Sequence, residues 1–187
     1  MELTSHLSPV AHGVNAEDRQ RRYGHKGGVV WLTGLSASGK STLAMGLERL
    51  LLAQGYACYV LDGDNLRHGL NANLGFSPED RRENIRRAGE VAALFADAGL
   101  ICITSFISPY RHDRQLARLA AHTSSFHEIY LSAGLTVCER RDPKGLYRKA
   151  RAGDLRSFTG IDAPYEAPDA AELVLRTGSD SVEKSLS

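Results

Sequence analysis

The run Gly34-Leu35-Ser36-Ala37-Ser38-Gly39-Lys40-Ser41 constrains this chain more than any other stretch, because it satisfies G-x-x-x-x-G-K-[ST] at every fixed position. The apolar Val29-Val30-Trp31-Leu32-Thr33 before it has the β-branched character of a strand, and Thr42-Leu43-Ala44-Met45-Gly46-Leu47 after it opens a helical pattern. Glycines at 34 and 39 free the backbone to turn successive N–H groups inward around phosphate oxygens, at the positive end of the following helix. Gly34, Leu35, Ser36, Ala37, Ser38, Gly39, Lys40, Ser41 and Thr42 are therefore expected to bind a nucleoside triphosphate. Lys40 would bring a mobile point charge to the terminal phosphates from a solvated side chain, and the Ser41 hydroxyl is placed to ligate Mg²⁺.

A length of 187 residues, 42% of them hydrophobic and 24% charged, suits one α/β domain. The formal net charge of +1 gives no reason to expect nucleic acid or a membrane surface as partner. No apolar run approaches the ~18–20 residues that span a bilayer, and no signal-peptide pattern opens the sequence, so a cytoplasmic location is expected. Cys58, Cys102 and Cys138 are odd in number and far apart, which reads as buried reduced thiols rather than a disulfide framework or zinc site. The histidines show no His-Glu-x-x-His spacing, so a protein-held transition metal is not expected.

Along the chain, residues 1–27 read as a polar arm with His6, His12, His25 and one short helix at 16–23, and residues 28–187 as the domain. A helix over 40–54 stops at Gly55, and a strand over 57–61 ends in Asp62-Gly63-Asp64. Ligands of open α/β sheets bind beyond the carboxyl ends of strands, so Asp62 and Asp64 fall on the side of the phosphate loop. There a carboxylate serves either Mg²⁺ or the acceptor hydroxyl; Asp62 and Ser41 are the metal candidates.

Ser77-Pro78-Glu79-Asp80 reads as a capped helix start, with Asp80 at the capping-box place, and the helix runs to about residue 98 with Ile85, Ala88, Val91, Ala92 and Phe95 on one face. Arg81, Arg82, Arg86 and Arg87 crowd its start; some form a solvated face, Glu83 with Arg87 having helix-pair spacing, and an anionic substrate would need at least one or two of them. A buried strand at 100–105 opens into Phe106-Ile107-Ser108-Pro109. A helix over 111–122 should turn Leu116, Leu119 and Ala120 inward, before further strands at 126–131 and 173–176. The alternation predicts a doubly wound, mainly parallel sheet with helices on both faces. Residues 139–168, basic and punctuated by Gly and Pro, read as a mobile lid rather than a packed element. A final amphipathic helix starts at Ser181 and stops abruptly at Ser187, as in a truncated chain.

Gly34 to Ser41, Asp62-Gly63-Asp64-Asn65, Arg67-His68-Gly69-Leu70, Gly75-Phe76-Ser77, Glu83-Asn84-Ile85-Arg86-Arg87, Ile107-Ser108-Pro109, Arg141-Asp142-Pro143-Lys144-Gly145-Leu146-Tyr147 and Phe158-Thr159-Gly160-Ile161-Asp162 together resemble the adenylylsulfate kinase family, over residues 29–176. Ala37, where the family commonly has Gly, is one departure, and the short C-terminus a larger one. The resemblance implies a dimeric P-loop kinase that uses MgATP to phosphorylate adenosine 5′-phosphosulfate (APS) at its 3′-hydroxyl in sulfate assimilation. It also raises association with an ATP sulfurylase. It implies that Arg67, Arg81 and Asn84 hold the phosphosulfate and that Phe76 and Phe158 sandwich the adenine. Ile107 and Lys144 would complete the pocket, Asp64 would orient the 3′-hydroxyl, and Arg141 would join the ATP-binding set.

Two alternatives share parts of this pattern. Another small-molecule kinase, for a nucleotide or a sugar acid, would keep the phosphate loop and lid but gives no reason for both Phe76 and the Phe158 stretch. A GTPase-type switch would need Asn-Lys-x-Asp, which is absent from the sequence. In the family the serine matching Ser108 is described as a phosphorylatable intermediate. Phosphoryl transfer needs mainly positioning and charge stabilisation, and Pro109 after Ser108 suits a structural turn, so direct in-line transfer is expected, with Ser108 lining the site.

Overall fold

The computed structural model describes residues 8, 10–122 and 124–187. Residues 1–7 of the expected arm, including His6, lie outside the described residues. The chain runs α1 (Ala16–Tyr23), β1 (Gly28–Thr33), α2 (Lys40–Ala53), β2 (Cys58–Asp62), α3 (Gly63–Arg67), α4 (Pro78–Asp97) and β3 (Ile101–Ser105). It continues through α5 (Arg111–Ala120), β4 (Ser125–Leu131), α6 (Leu135–Arg141), α7 (Leu146–Arg151), β5 (Leu173–Leu175) and α8 (Val182–Leu186). The five strands pair in parallel in the order β2-β3-β1-β4-β5, so β1 is central and delivers the phosphate loop to the middle of one sheet edge.

Alternation along β1 sorts the core. Val29 and Trp31 join the layer containing Ile85, Ala88 and Ala92 of α4 and Ala117 of α5. Val30 and Leu32 instead pack with Leu43, Ala44 and Leu47 of α2 and Leu186 of α8. Period-two side chains thus place helices on both faces, as the sequence leads one to expect. Trp31, wholly buried, stacks between Phe106 and Phe126 at centroid distances of 5.4 and 5.7 Å.

Three local expectations need correction. Ser77 caps α4 by accepting from Asp80 N at 3.1 Å, but the Asp80 carboxylate accepts from Gly75 N at 3.0 Å, so the box is half formed and the carboxylate braces the preceding loop. In α5 the buried residues are Asp113, Arg114 and Ala117, while Leu116 and Leu119 face outward and Ala120 is half-buried. The cause is a close helix crossing: a Cβ on Gly89 of α4 would lie 2.9 Å from Ala117, so only a small-residue face of α5 fits there. The segment 139–168 is packed: Tyr147, Ala150 and Phe158 form a small core with Cys138 and Ala133, and Tyr147 meets Phe158 edge-on at 5.0 Å.

The arm's helix α1 has a complete Asn15–Asp18 capping box. Tyr23 lies against Gly99, and His25 Nε2 accepts from Ala57 N at 2.9 Å. These contacts lie at the amino ends of β2 and β3, away from the phosphate loop. All three cysteines are free; Cys102 and Cys138 are buried and Cys58 half-buried. Burial pushes the Cys102 thiol up to about 12.

Candidate active site

The carboxyl ends of β1, β2 and β3 open onto one cavity of about 1180 Å³. Its lining runs from Ser36–Ser41 through Asp62, Asp64 and Arg67 to Phe76, Arg81 and Asn84, and takes in Ile107, Ser108, Arg141, Lys144 and Phe158. Residues scattered over more than a hundred positions of sequence are therefore brought to one cleft.

At one end the phosphate loop has the backbone its glycines allow. Gly39 has φ +102, and a Cβ on Gly34 would meet Leu131 O at 2.9 Å. Ala37 also takes a left-handed φ of +58, which an L side chain adopts at roughly 1–2 kcal/mol above glycine. Lys40 is not solvated. It is 8% exposed, and Nζ donates back to Gly34 O at 3.0 Å and Leu35 O at 2.7 Å. Burial holds its ammonium down at about 8, against an ordinary 10.5. The loop thus stores a desolvated cation whose natural partner is an anion.

Beside it, Ser41 Oγ donates to Asp62 Oδ2 at 2.7 Å and lies 3.2 Å from Ser105 Oγ, while Asp62 Oδ1 accepts from Asp64 N at 3.0 Å. This donor set is all oxygen, with one carboxylate next to the phosphate loop. It fits Mg²⁺, which takes few protein ligands and keeps water and substrate phosphates in its shell. Among the described residues no cluster of three His, Cys, Asp or Glu side chains could hold a metal outright.

At the other end, Phe76 is 57% exposed, with the Arg67 guanidinium 4.3 Å from its ring centroid. Arg67 also donates to Gly75 O at 2.9 Å, and Arg81 donates to Phe76 O at 2.9 Å and Thr159 Oγ1 at 2.8 Å. Burial lowers both guanidinium pKa values. Asn84 is buried and accepts from Asn71 Nδ2 at 3.0 Å, which fixes its amide. Lys144, at the turn before α7, forms an ion pair with Asp64 across the mouth of the cleft. Arg141 donates to Thr177 O at 2.5 Å and to Ala37 O at 3.4 Å, bridging the C-terminal segment to the phosphate loop.

Ser108 lies beneath the surface, 2% exposed, with φ +40. Its Oγ accepts from Trp31 Nε1 at 3.2 Å and donates to Thr33 Oγ1 at 3.0 Å. Thr33 in turn donates to Ile107 O at 2.8 Å. Sequence reasoning missed several residues here. Tyr147 OH donates to Ser36 O at 3.0 Å, tying the lid segment to the phosphate loop, and the C-terminal Thr177, Asp180 and Val182 line the cavity. Tyr147 stands inside a motif already singled out, but nothing local shows where its hydroxyl goes.

A phosphate loop at the end of the central strand of a parallel sheet, beside a carboxylate pair and a cleft walled by arginines and aromatics, defines a P-loop kinase of small molecules. The model of the family described as adenylylsulphate kinase matches residues 26–176, and the chain belongs to that family. An adenylyl-sulfate kinase of Staphylococcus carnosus is 56% identical over 173 residues, covering 92% of this chain and 87% of the relative. One from Bacillus licheniformis is 59% identical over 160 residues, covering 86% and 81%. Among solved structures, the Mycobacterium tuberculosis APS kinase in complex with AMPPNP and APS superposes with a TM-score of 0.83 at 52% identity, covering 86% of this chain and 94% of that one.

Proposed function

We propose that this protein transfers the γ-phosphoryl group of ATP to the 3′-hydroxyl of APS, giving 3′-phosphoadenosine 5′-phosphosulfate and ADP, in sulfate assimilation. The observation that carries the reading is one continuous cleft with a phosphate loop at one end and Arg67, Phe76, Arg81, Asn84, Ile107, Lys144 and Phe158 at the other. Phosphoryl transfer needs mainly positioning and charge stabilisation, and those are what this lining offers. Lys40 meets the terminal phosphates as a desolvated cation. Asp64 aligns the acceptor hydroxyl, and the arginines and Lys144 face the phosphosulfate. Mg²⁺, held by Ser41 and by Asp62, would neutralise charge on the phosphate oxygens of ATP. Residues 139–168 act as a lid that moves as a packed unit over the phosphates. ATP consumption measured with APS, AMP and gluconate offered separately tests the reading: turnover with AMP or gluconate and none with APS refutes it.

The same chain is proposed to self-associate as a homodimer. Leu94 of α4 and Leu116 and Leu119 of α5 are exposed apolar side chains on packed neighbouring helices, an arrangement that a second subunit would cover. Among the described residues no helix is long and apolar enough to cross a membrane.

Phe76→Ala is expected to raise KM for APS by about 2- to 12-fold, the equivalent of ~0.5–1.5 kcal/mol of stacking, with little change for ATP or in Tm. Phe158→Ala should do the same and also lower stability by ~3–5 kcal/mol, because its ring is buried against Tyr147. Steady-state kinetics with each substrate varied, beside denaturant unfolding, separates the two effects; equal rises for both nucleotides count against the adenine assignment.

Ser108→Ala is expected to keep kcat within about tenfold of wild type, since its hydroxyl is engaged by Trp31 and Thr33 and, among the described residues, no His or carboxylate hydrogen-bonds to it to give general-base help of the ~10²–10⁴-fold kind. Transfer from chiral γ-phosphate should proceed with inversion. Net retention, with turnover lost in the variant, would establish a phosphoserine route instead.

A further inference from the structure

Arg114 of α5, which the sequence does not single out, is 3% exposed and all three of its nitrogens are used. Nε donates to Glu128 Oε1 on β4 at 2.5 Å, Nη1 to the Ser108 carbonyl at 2.7 Å and Nη2 to the Glu166 carbonyl at 2.8 Å. Those two carbonyls belong to the two backbone stretches that carry walls of the cleft. One stretch, 106–109, bears Ile107; the other descends from Phe158 to Glu166. They are further laced by Glu166 N donating to Pro109 O at 2.8 Å and Arg111 N donating to Glu166 Oε2 at 2.8 Å.

Ser108 has a left-handed φ of +40, a conformation that persists in a non-glycine residue only where its surroundings impose it. Trp31 and Thr33 fix its hydroxyl, and Arg114 fixes its carbonyl. Arg114 itself does not line the cavity.

We propose that Arg114, oriented by Glu128, is a positioning residue that sets the separation between the Ile107 wall and the Phe158 wall, and so governs affinity for the acceptor nucleotide without touching either substrate. The inference rests on assigning that end of the cleft to APS. A guanidinium suits the task because its rigid fork directs donors to three separate oxygens, which a single ammonium cannot do with the same geometry.

The test compares Arg114→Met with the double variant Arg114→Met/Glu128→Gln. Both changes leave the Ser108 and Glu166 carbonyls without their donor, but the single change also leaves a mostly buried carboxylate without its closest partner and should lower Tm further; the double change removes both charges and should recover that further part. KM for APS is expected to rise about tenfold in both variants, while KM for MgATP stays within about twofold. Trp31, the single tryptophan, donates to Ser108, so its emission should shift in both variants regardless of activity. Recovery of KM for APS together with Tm, or a parallel rise in both KM values, overturns the proposal in favour of a purely structural ion pair. An unshifted Trp31 emission overturns it too. If the wild type fails to turn over APS, the functional reading falls, and the emission measured beside Tm still judges whether Arg114 fixes the loop.

Discussion

Lys40→Met is expected to lower kcat/KM by at least about 10²–10³-fold while leaving the substrate-free protein at least as stable as wild type at neutral pH. The first half follows from where the ammonium sits, at the turn of the phosphate loop, where charge shifts during transfer. The second follows from its burial. Its pKa lies at about 8 in the folded protein against 10.5 ordinarily, so the folded state sheds this proton more readily than the unfolded state. Between those values the unfolded chain binds more protons, and stability contributed by this group rises with pH; below pH 8 the charged form weighs against folding. Lys40→Met should therefore exceed wild type in stability most clearly below pH 8, and the difference should close towards pH 10.5. In a chain of this size each 1 kcal/mol appears as about 2–4 °C in Tm. Saturating MgATP should reverse the order, stabilising wild type more than the variant, because phosphates give the cation its partner. Near-normal turnover, or a variant that unfolds at a lower temperature without nucleotide, contradicts the account.

Asp64→Asn should reduce kcat by about 10²–10⁴-fold, the range for loss of a positioned group that receives or aligns a proton, with KM for ATP little changed. Asparagine keeps the shape of the side chain and can still touch the acceptor hydroxyl, but it cannot accept its proton. The change also strips Lys144 of its partner, so Lys144→Met serves as the control. Lys144→Met should act mainly on KM for APS, whereas Asp64→Asn should act mainly on kcat. A variant at Asp64 that retains full kcat would remove the carboxylate from the reaction.

The phosphate loop and the parallel, doubly wound character of the sheet around it were legible because they depend on short-range rules: fixed spacing, φ freedom at Gly34 and Gly39, and period-two alternation along β1. The inward face of α5 was not. Its apolar period pointed to Leu116 and Leu119, but the orientation of the helix is set by the close approach of Ala117 to Gly89, a contact between elements. Lys40 was misread as solvated because its burial comes from the loop closing over it, with acceptors at Gly34 and Leu35 that no sequence pattern marks. Arg114 escaped notice for a related reason. Its partners lie 14, 6 and 52 positions away, and a charged residue in a polar helix gives no sign that such partners exist. The lid segment looked loose because Gly and Pro interrupt it, yet Tyr147 and Phe158, far enough apart to share no period, build a core inside it.

On the assignment proposed for Asp64 and Lys144, their contact across the cleft bears on selectivity. Both side chains are largely exposed, so the pair is worth only ~0–1 kcal/mol and opens readily. While closed, it leaves the mouth of the acceptor site with an already satisfied lysine. Inorganic phosphate or sulfate would gain little by displacing a carboxylate from it. A nucleotide that offers a hydroxyl to Asp64 and an anion to Lys144 replaces both halves of the contact at once. On that assignment the clasp would discriminate, within the ~0–1 kcal/mol the pair is worth, by requiring two complementary groups on one molecule, where stray oxyanions carry only one of them.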